Sequence, residues 1–307
     1  HLWPTYEYAK HTMRGGTELT QNTPAGLTKS VGGSKSRNGL DLEYATQWSY
    51  GINETPNLFI PNFNGGSSAG ALSEKSETYK IISQNYQGAD KAIQQMPTYW
   101  GPQSFTAGPM YMGAICIFLF LLGFFVLKGG LKWWVGCVTL LALMLSWGSH
   151  FMGLTELFFN YAPLYNKFRT VSMILVILQV MIPILAVLAV NEMINGNVKK
   201  EEAKKAMWWA LGITGGFALL FGVFPSLAGS FTGQSDSQLP KEIAAALALD
   251  RISLLRADAF RSLIFVLLAA ATLWYGFTKK LKPVHATIIL IVLVIFDMWN
   301  IDKRYLS

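Results

Sequence analysis

Residues 171–190 read VSMILVILQVMIPILAVLAV, a run of twenty positions without one charged side chain. A helix of about 20 apolar residues is what a hydrocarbon layer about 30 Å thick requires, and an apolar run of this length is typical of a transmembrane helix. Five other apolar runs of similar or somewhat shorter length occur after residue 108. The sequence therefore predicts an all-α integral membrane protein with about six spans, at 109–127, 133–147, 171–190, 207–224, 263–277 and 284–299.

The overall composition agrees with membrane insertion. Of 307 residues, 51% are hydrophobic and 14% are charged, whereas about 25% of the residues in an ordinary soluble domain are charged. The formal net charge is +7, but residues 1–107 carry 8 basic and 8 acidic side chains. All the excess positive charge thus lies among the apolar runs, where basic loops beside anionic lipid explain it. We expect membrane lipid as a partner and no nucleic acid.

The lysines indicate an orientation. The short loops after the first, third and fifth predicted spans hold nine lysines, in 128–132, 199–205 and 279–282. Short basic loops face the cytoplasm in most membrane proteins. Residues 1–107 would then be extracytoplasmic. Because this segment has no apolar stretch that could export it, we expect the chain to be an internal or C-terminal fragment, with earlier membrane helices in the complete protein.

The sequence predicts two domains, an extracytoplasmic loop layer over 1–107 and a membrane domain over 108–307. Within the layer, helices are expected at 4–13 and 79–96, and the turn-rich run 57–66 is expected to dip against the membrane surface. Apolar and charged residues alternate at helical spacing over 241–261. This pattern predicts an amphipathic helix in the plane of the membrane interface, although a solvated connector is an equal alternative.

Charged residues concentrate at the predicted outer ends of the spans, where basic residues oppose the usual trend. Guanidinium groups at this depth can bind a lipid phosphate through paired N–H donors. The alternative is that these residues pair with each other, Arg261 with Asp258 or Arg169 with Glu156. We predict lipid-phosphate ligands at Arg169, Arg261 and Lys167, with Glu156, Asp258 and His150 in support. The scattered histidines predict no metal site.

Several strings carry a family resemblance. The stretch from Ser146 to Arg169, the string 60–66 (IPNFNGG) and the string 99–103 (YWGPQ) together resemble the YfhO family of bacterial multi-pass membrane proteins. Three further strings, at 3–9, 250–262 and 302–306, are similar to its Bacteroidetes-type branch. The resemblance thus extends over nearly the whole chain.

The resemblance implies a GT-C-like helical bundle in the bacterial cytoplasmic membrane. It also implies an extracytoplasmic glycosyltransferase that moves a sugar from a polyprenyl-phosphate carrier to a cell-envelope acceptor, with a divalent metal possible as cofactor. In such folds the catalytic acid follows the first membrane helix, which this chain lacks, so no residue inherits that role. Two alternatives stay open. A flippase of lipid-linked precursors requires charges and helix breaks deep in the spans, and a non-catalytic scaffold requires no chemistry.

Overall fold

The computed structural model describes residues 40–196 and 198–306, and the predicted helix at 4–13 lies outside them. The described residues form helices, turns and isolated bridges, without a β-strand. They divide into two compact units, one of residues 40–52 with 140–176 and one of 53–139 with 177–306. Residues 53–107 share a unit with most of the helices, so the predicted domain boundary at 107 does not separate the two units.

We number the eight helices of nine or more residues in chain order; several short helical turns connect them. They are α1 Glu77–Asn85, α2 Ala114–Val126, α3 Leu131–Ser146, α4 Met152–Tyr161, α5 Val176–Ile194, α6 Lys200–Val223, α7 Lys241–Phe277 and α8 Pro283–Tyr305.

Three helical segments of the described chain are long and apolar enough to cross a membrane, namely Val171–Ile194, Lys200–Val223 and Pro283–Tyr305. A fourth span is formed if α3 and the segment Gly148–Tyr161, which meet at an angle of 110°, cross as one bent pair. The protein therefore has the helices of a membrane protein, with three or four spans by length and composition.

The first predicted span starts later than its apolar residues suggest. The run 109–127 is apolar throughout, yet α2 begins only at Ala114 and has 13 residues. Gly113, directly before it, has a φ of +94°, a conformation that glycine adopts without strain. Residues 108–113 are therefore non-helical and pack against the side chains of α8, where a Cβ on Gly108 would stand 3.1 Å from the Tyr305 ring.

The segment 241–261 is helical, as predicted, but it is not a separate helix. It continues without a break into the predicted span 263–277, and the two together form α7, which has 37 residues and is about 55 Å long. Ile243 and Leu247 pack against Ile82 and Ile93 of the outer layer. Part of its apolar face is thus covered by residues 72–96, and its location in the plane of the membrane interface stays a prediction.

Residues 53–107, which we call the outer segment after their predicted side of the membrane, contribute to the hydrophobic core. The turn-rich run 57–66 was expected at the membrane surface, but its Phe63 is buried and lies 4.8 Å from Phe221 of α6, ring centroid to centroid. Phe59 meets Phe217 of the same helix at 6.1 Å, and its carbonyl accepts a hydrogen bond of 2.9 Å from the Ser262 hydroxyl of α7. This run therefore wedges between α6 and α7.

In the other unit, Gly148 holds the sharp turn between α3 and α4. Its φ is +47°, and a Cβ there would stand 2.1 Å from the Ser49 hydroxyl. That hydroxyl accepts a hydrogen bond of 2.8 Å from the Ser149 amide, while the Gly148 carbonyl accepts one of 2.9 Å from the Thr155 hydroxyl. The bend thus depends on a residue without a side chain.

We predict that Gly148→Ala lowers the free energy of unfolding by about 1–3 kcal/mol, because the new Cβ is strained at positive φ and displaces Ser49. The measurement is thermal unfolding in detergent. Gly153→Ala is the matched control, since a Cβ at Gly153 meets no atom within 4 Å. An equal fall in the unfolding midpoint of both variants would contradict the role of Gly148 in the bend.

Candidate functional site

The candidate site lies where the outer segment enters the helices of the second unit. Its centre is Asp297 of α8, whose side chain is buried. One carboxylate oxygen accepts the Ala114 amide of α2 at 2.9 Å and the other accepts the Tyr111 hydroxyl at 2.7 Å. A helix N-terminus has amides without intrahelical partners and attracts negative charge. Asp297 therefore caps α2 from a different helix and fixes its start.

Arg261 of α7 completes this cluster. Its guanidinium forms a salt bridge of 2.8 Å with the Asp297 carboxylate and also donates to the Asp297 main-chain carbonyl. The guanidinium carbon lies 4.8 Å from the centroid of the Phe265 ring, and only 14% of the Arg261 side chain is exposed. Arg261 was predicted as a phosphate ligand with Asp258 as its competing partner; in the structure its ionic partner is Asp297.

A second ion pair joins α7 and α8, with the arginine on α8 and the carboxylate on α7. Arg304 of α8 donates two parallel hydrogen bonds to Asp258 of α7, at 2.8 and 2.9 Å. The Asn62 amide from the outer segment donates to the same carboxylate at 2.8 Å, and the Tyr305 hydroxyl donates to the Asn62 carbonyl at 3.2 Å. Asp258 is buried, whereas 37% of the Arg304 side chain is exposed. Arg304 is thus held in place and still partly accessible.

A third arginine pins the outer segment to α7. Arg251 is completely buried and forms two hydrogen bonds with the Asp236 carboxylate, at 2.6 and 2.8 Å. It also donates to the main-chain carbonyls of Pro97, Thr98 and Phe231, at 2.6, 3.1 and 2.7 Å. A guanidinium has five N–H donors in a planar fork. Here the fork ties residues 97–98 to residues 231–236, a segment that includes the start of a short 3-10 helix, Gln234–Gln238.

Two further carboxylates fix the outer segment. Asp250, beside Arg251 on α7, accepts the amides of Glu77 and Thr78, each at 2.9 Å, and thereby caps α1. Glu54 is buried and accepts hydrogen bonds from the Tyr99 hydroxyl and, at 3.0 Å, from the Gln103 amide. Both carboxylates hold loops in place and are shielded by the groups that they bind.

The remaining predicted ligands lie in the other unit. Arg169 is exposed; it donates to the Tyr44 hydroxyl at 2.9 Å and lies 4.8 Å above the centroid of that ring. Among the ion pairs of the described residues there is none between Arg169 and Glu156. His150 and Glu156 are exposed on neighbouring turns. Burial lowers the pKa of the Lys167 ammonium, since removal from water disfavours its charged form.

No group of three or more metal-ligating side chains comes together in the described part of the chain. The structure therefore offers no residues to which the possible divalent metal could be assigned. The role of Arg169, Arg261 and Lys167 as phosphate ligands stays a prediction.

Sequence reasoning placed Arg304 and Asp297 among the charged residues at the ends of the spans but did not select them as site residues, and it did not single out Arg251 or Asp236. Arg304 follows Asp297 by two helical turns, at the end of the last apolar run. Asp236 and Arg251 carry no comparable signal, because their pairing depends on how the loop 229–238 folds over α7.

Comparison with known proteins gave no match: no family model, no curated protein and no solved structure is similar to the chain. The function proposed below therefore depends on the geometry of the candidate site and on the resemblance in the sequence to the YfhO family.

We predict that Arg251→Met lowers the free energy of unfolding by about 3–5 kcal/mol, because it leaves Asp236 and several carbonyls without their donor. Arg256→Met is the matched control on the same helix, since Arg256 is exposed. Thermal unfolding of both variants in detergent measures the difference. Similar midpoints for the two variants would show that Arg251 does not hold the outer segment.

Proposed function

We propose that the protein is an extracytoplasmic glycosyltransferase of GT-C type, or the part of one, that takes its sugar from a polyprenyl-phosphate carrier and passes it to a cell-envelope acceptor. Six spans in the bacterial cytoplasmic membrane, with the lysine loops inside, belong to this proposal. The observation that carries it is Arg304. A guanidinium held rigidly at the end of a candidate span, and still 37% exposed, offers directed donors at the depth of a lipid phosphate.

The charges of the site define how it could bind a phosphate. Asp258 neutralises Arg304 and Asp297 neutralises Arg261, so neither pair adds net positive charge. The two N–H groups that Arg304 gives to Asp258 leave three of its five donors for a ligand. We infer that the phosphate is bound through these donors. Arg169 and Lys167 belong to the other unit, and their role as phosphate ligands stays a prediction from the sequence.

The bond to Asp258 also orders the guanidinium before any ligand arrives. A free arginine side chain loses rotamer entropy when it is fixed, about 0.5–1.5 kcal/mol on binding. In Arg304 this cost has been met by folding. Asn62 from the outer segment orders Asp258 in turn, which couples the phosphate site to the layer above it.

We assign no acidic side chain of the described residues as the catalytic acid of the proposed sugar transfer. Glu54 and Asp250 are engaged in holding loops, and Asp258 and Asp297 are engaged with arginines. Within the proposed enzyme, we assign to this chain the binding of the donor phosphate.

A second candidate function, movement of a lipid-linked precursor across the membrane, is favoured by one specific observation. Asp297 lies within the candidate span Pro283–Tyr305 and is paired with Arg261. Charged residues inside membrane segments often mark transport pathways. Against this reading, Asp297 is fully buried and its oxygens are occupied by Arg261, Tyr111 and the start of α2.

We predict that Arg304→Lys weakens binding of undecaprenyl phosphate to the purified protein by about ten-fold, since lysine keeps the charge but loses the planar fork. Arg256→Lys on α7 is the matched control. Fluorescence titration against undecaprenol, which has no phosphate, isolates the headgroup contribution. The variants Arg169→Lys and Arg169→Ala, measured in the same assay, test Arg169 as the phosphate ligand predicted from the sequence.

The variant Asp258→Asn distinguishes a phosphate ligand at Arg304 from an arginine that only stabilises the fold. This change breaks the same ion pair but leaves the guanidinium, so binding falls by less than in Arg304→Lys while the unfolding midpoint falls. Equal loss of binding in Arg304→Lys and Asp258→Asn would remove Arg304 from the site. Sugar transfer by the protein in membranes supports the enzyme, whereas passage of undecaprenyl phosphate across proteoliposomes without transfer supports the transporter.

The proposed orientation has a separate test. In a chain with Cys116 and Cys137 replaced by serine, a cysteine at position 200 should react with a maleimide only when the reagent crosses the membrane. A cysteine in place of Ser104, which is exposed, should react with an impermeant maleimide from outside the cell. The reverse pattern would contradict cytoplasmic lysine loops.

A further inference from the structure

We propose that the groove between α2, α5 and α8 binds one acyl chain of an anionic phospholipid from the leaflet on the lysine side of the membrane. The groove has a volume of about 360 Å³ and is lined almost wholly by apolar atoms. Residues from all three helices form its walls, among them Cys116, Pro183, Val190, Thr287, Ile291 and Ile295. This inference is independent of the proposed function.

The dimensions of the groove fit a hydrocarbon chain better than a helix. Along α8 the groove extends from Thr287 to Ile295, which is about 12 Å at 1.5 Å per residue. A helix segment of that length and about 10 Å in width fills roughly 900 Å³, far more than the groove provides. The groove therefore takes one extended chain, and neither a helix of a second copy nor one of another protein enters it.

The depth of the groove selects the leaflet. Thr287 lies about 6 Å, and Ile295 about 18 Å, from the start of α8 at Pro283. Half of a hydrocarbon layer is about 15 Å thick. A chain whose headgroup lies at the Pro283 end thus fills the groove over its natural length, whereas a chain from the opposite surface would first have to cross the other half of the membrane.

Beyond this end of the groove, the chain carries exposed polar and basic residues. Lys282, exposed, directly precedes α8, and Lys279 and Lys280 lie in the same turn. On α5, the exposed Asn191 follows Val187 and Val190 of the groove wall and accepts a hydrogen bond of 2.8 Å from the Asn195 amide. Lysine ammonium groups beside carboxamides complement an anionic phosphate headgroup. An apolar groove with such residues beyond its end matches one anionic phospholipid.

Two exposed neighbours on α8 make a matched pair of variants. Ile291 lines the groove and is 53% exposed, whereas Val292 is 54% exposed and does not line it. Ile291→Trp fills the groove, and Val292→Trp adds the same side chain outside it. Because both positions are equally exposed, both variants are expected to fold, and their unfolding midpoints serve as the check.

The experiment is native mass spectrometry of the detergent-purified protein with added phosphatidylglycerol or phosphatidylcholine. We expect one retained phosphatidylglycerol per chain and about ten-fold less phosphatidylcholine. Ile291→Trp should lower phosphatidylglycerol retention by about five-fold or more and Val292→Trp should leave it unchanged. Lys282→Glu should abolish the preference between the two lipids without a change in the unfolding midpoint.

Equal retention in both tryptophan variants would overturn the groove as the binding place. Equal retention of the two lipids by the parent protein would overturn the anionic headgroup. Displacement of phosphatidylglycerol by equimolar undecaprenyl phosphate would show that the groove holds the chain of the proposed donor, and a lipid-free dimer would show that a second copy covers it. Either result would also overturn the proposal, while Arg304 and the transferase are tested separately.

Discussion

The carboxylate of Asp297 fixes the start of α2, the course of residues 108–113 and the position of Arg261. In hydrocarbon a backbone amide has no water to bind, and each unsatisfied group costs several kcal/mol. The Ala114 amide meets this need through a side chain 183 positions later in the chain. The apolar chain before Ala114 is then free to remain non-helical, and it leads from α2 to the outer segment along a path within the protein.

Polar contacts have a large part in holding the second unit together. Apolar helices gain little from mutual association in lipid, because lipid tails are as apolar as leucine. Specific contacts must therefore select one arrangement. Between α7 and α8 this role falls to two ion pairs of opposite direction, Arg261 with Asp297 and Arg304 with Asp258. Two antiparallel helices joined by one ion pair could shift along each other, but two ion pairs, with the arginine on a different helix in each, fix their register.

The same two helices also carry the candidate phosphate site, and α8 borders the proposed lipid groove, so the residues that stabilise the fold also belong to the candidate site. Asp258 and Asn62 order Arg304 before a ligand binds, and Asn62 belongs to a run that is wedged between α6 and α7. The outer segment is consequently a part of the site and of the core together. A ligand at Arg304 would be sensed by the outer segment through the Asn62 amide.

The sequence by itself indicated the membrane class and spans at 171–190, 207–224 and 284–299, where the structure has the long apolar helical segments Val171–Ile194, Lys200–Val223 and Pro283–Tyr305. It could do so because the length of an apolar run is a local property that the hydrocarbon thickness makes decisive. It also located the helical segment 241–261 and the charged residues at the ends of the spans. It could not determine their partners. Proximity in sequence suggested Arg261 with Asp258, but the tertiary structure pairs each with α8, since an arginine reaches a facing helix as readily as the next turn of its own. The start of α2, the continuity of α7 and the burial of 57–66 were decided in the same way, by side chains distant in sequence that satisfy or cover groups which the local sequence leaves open.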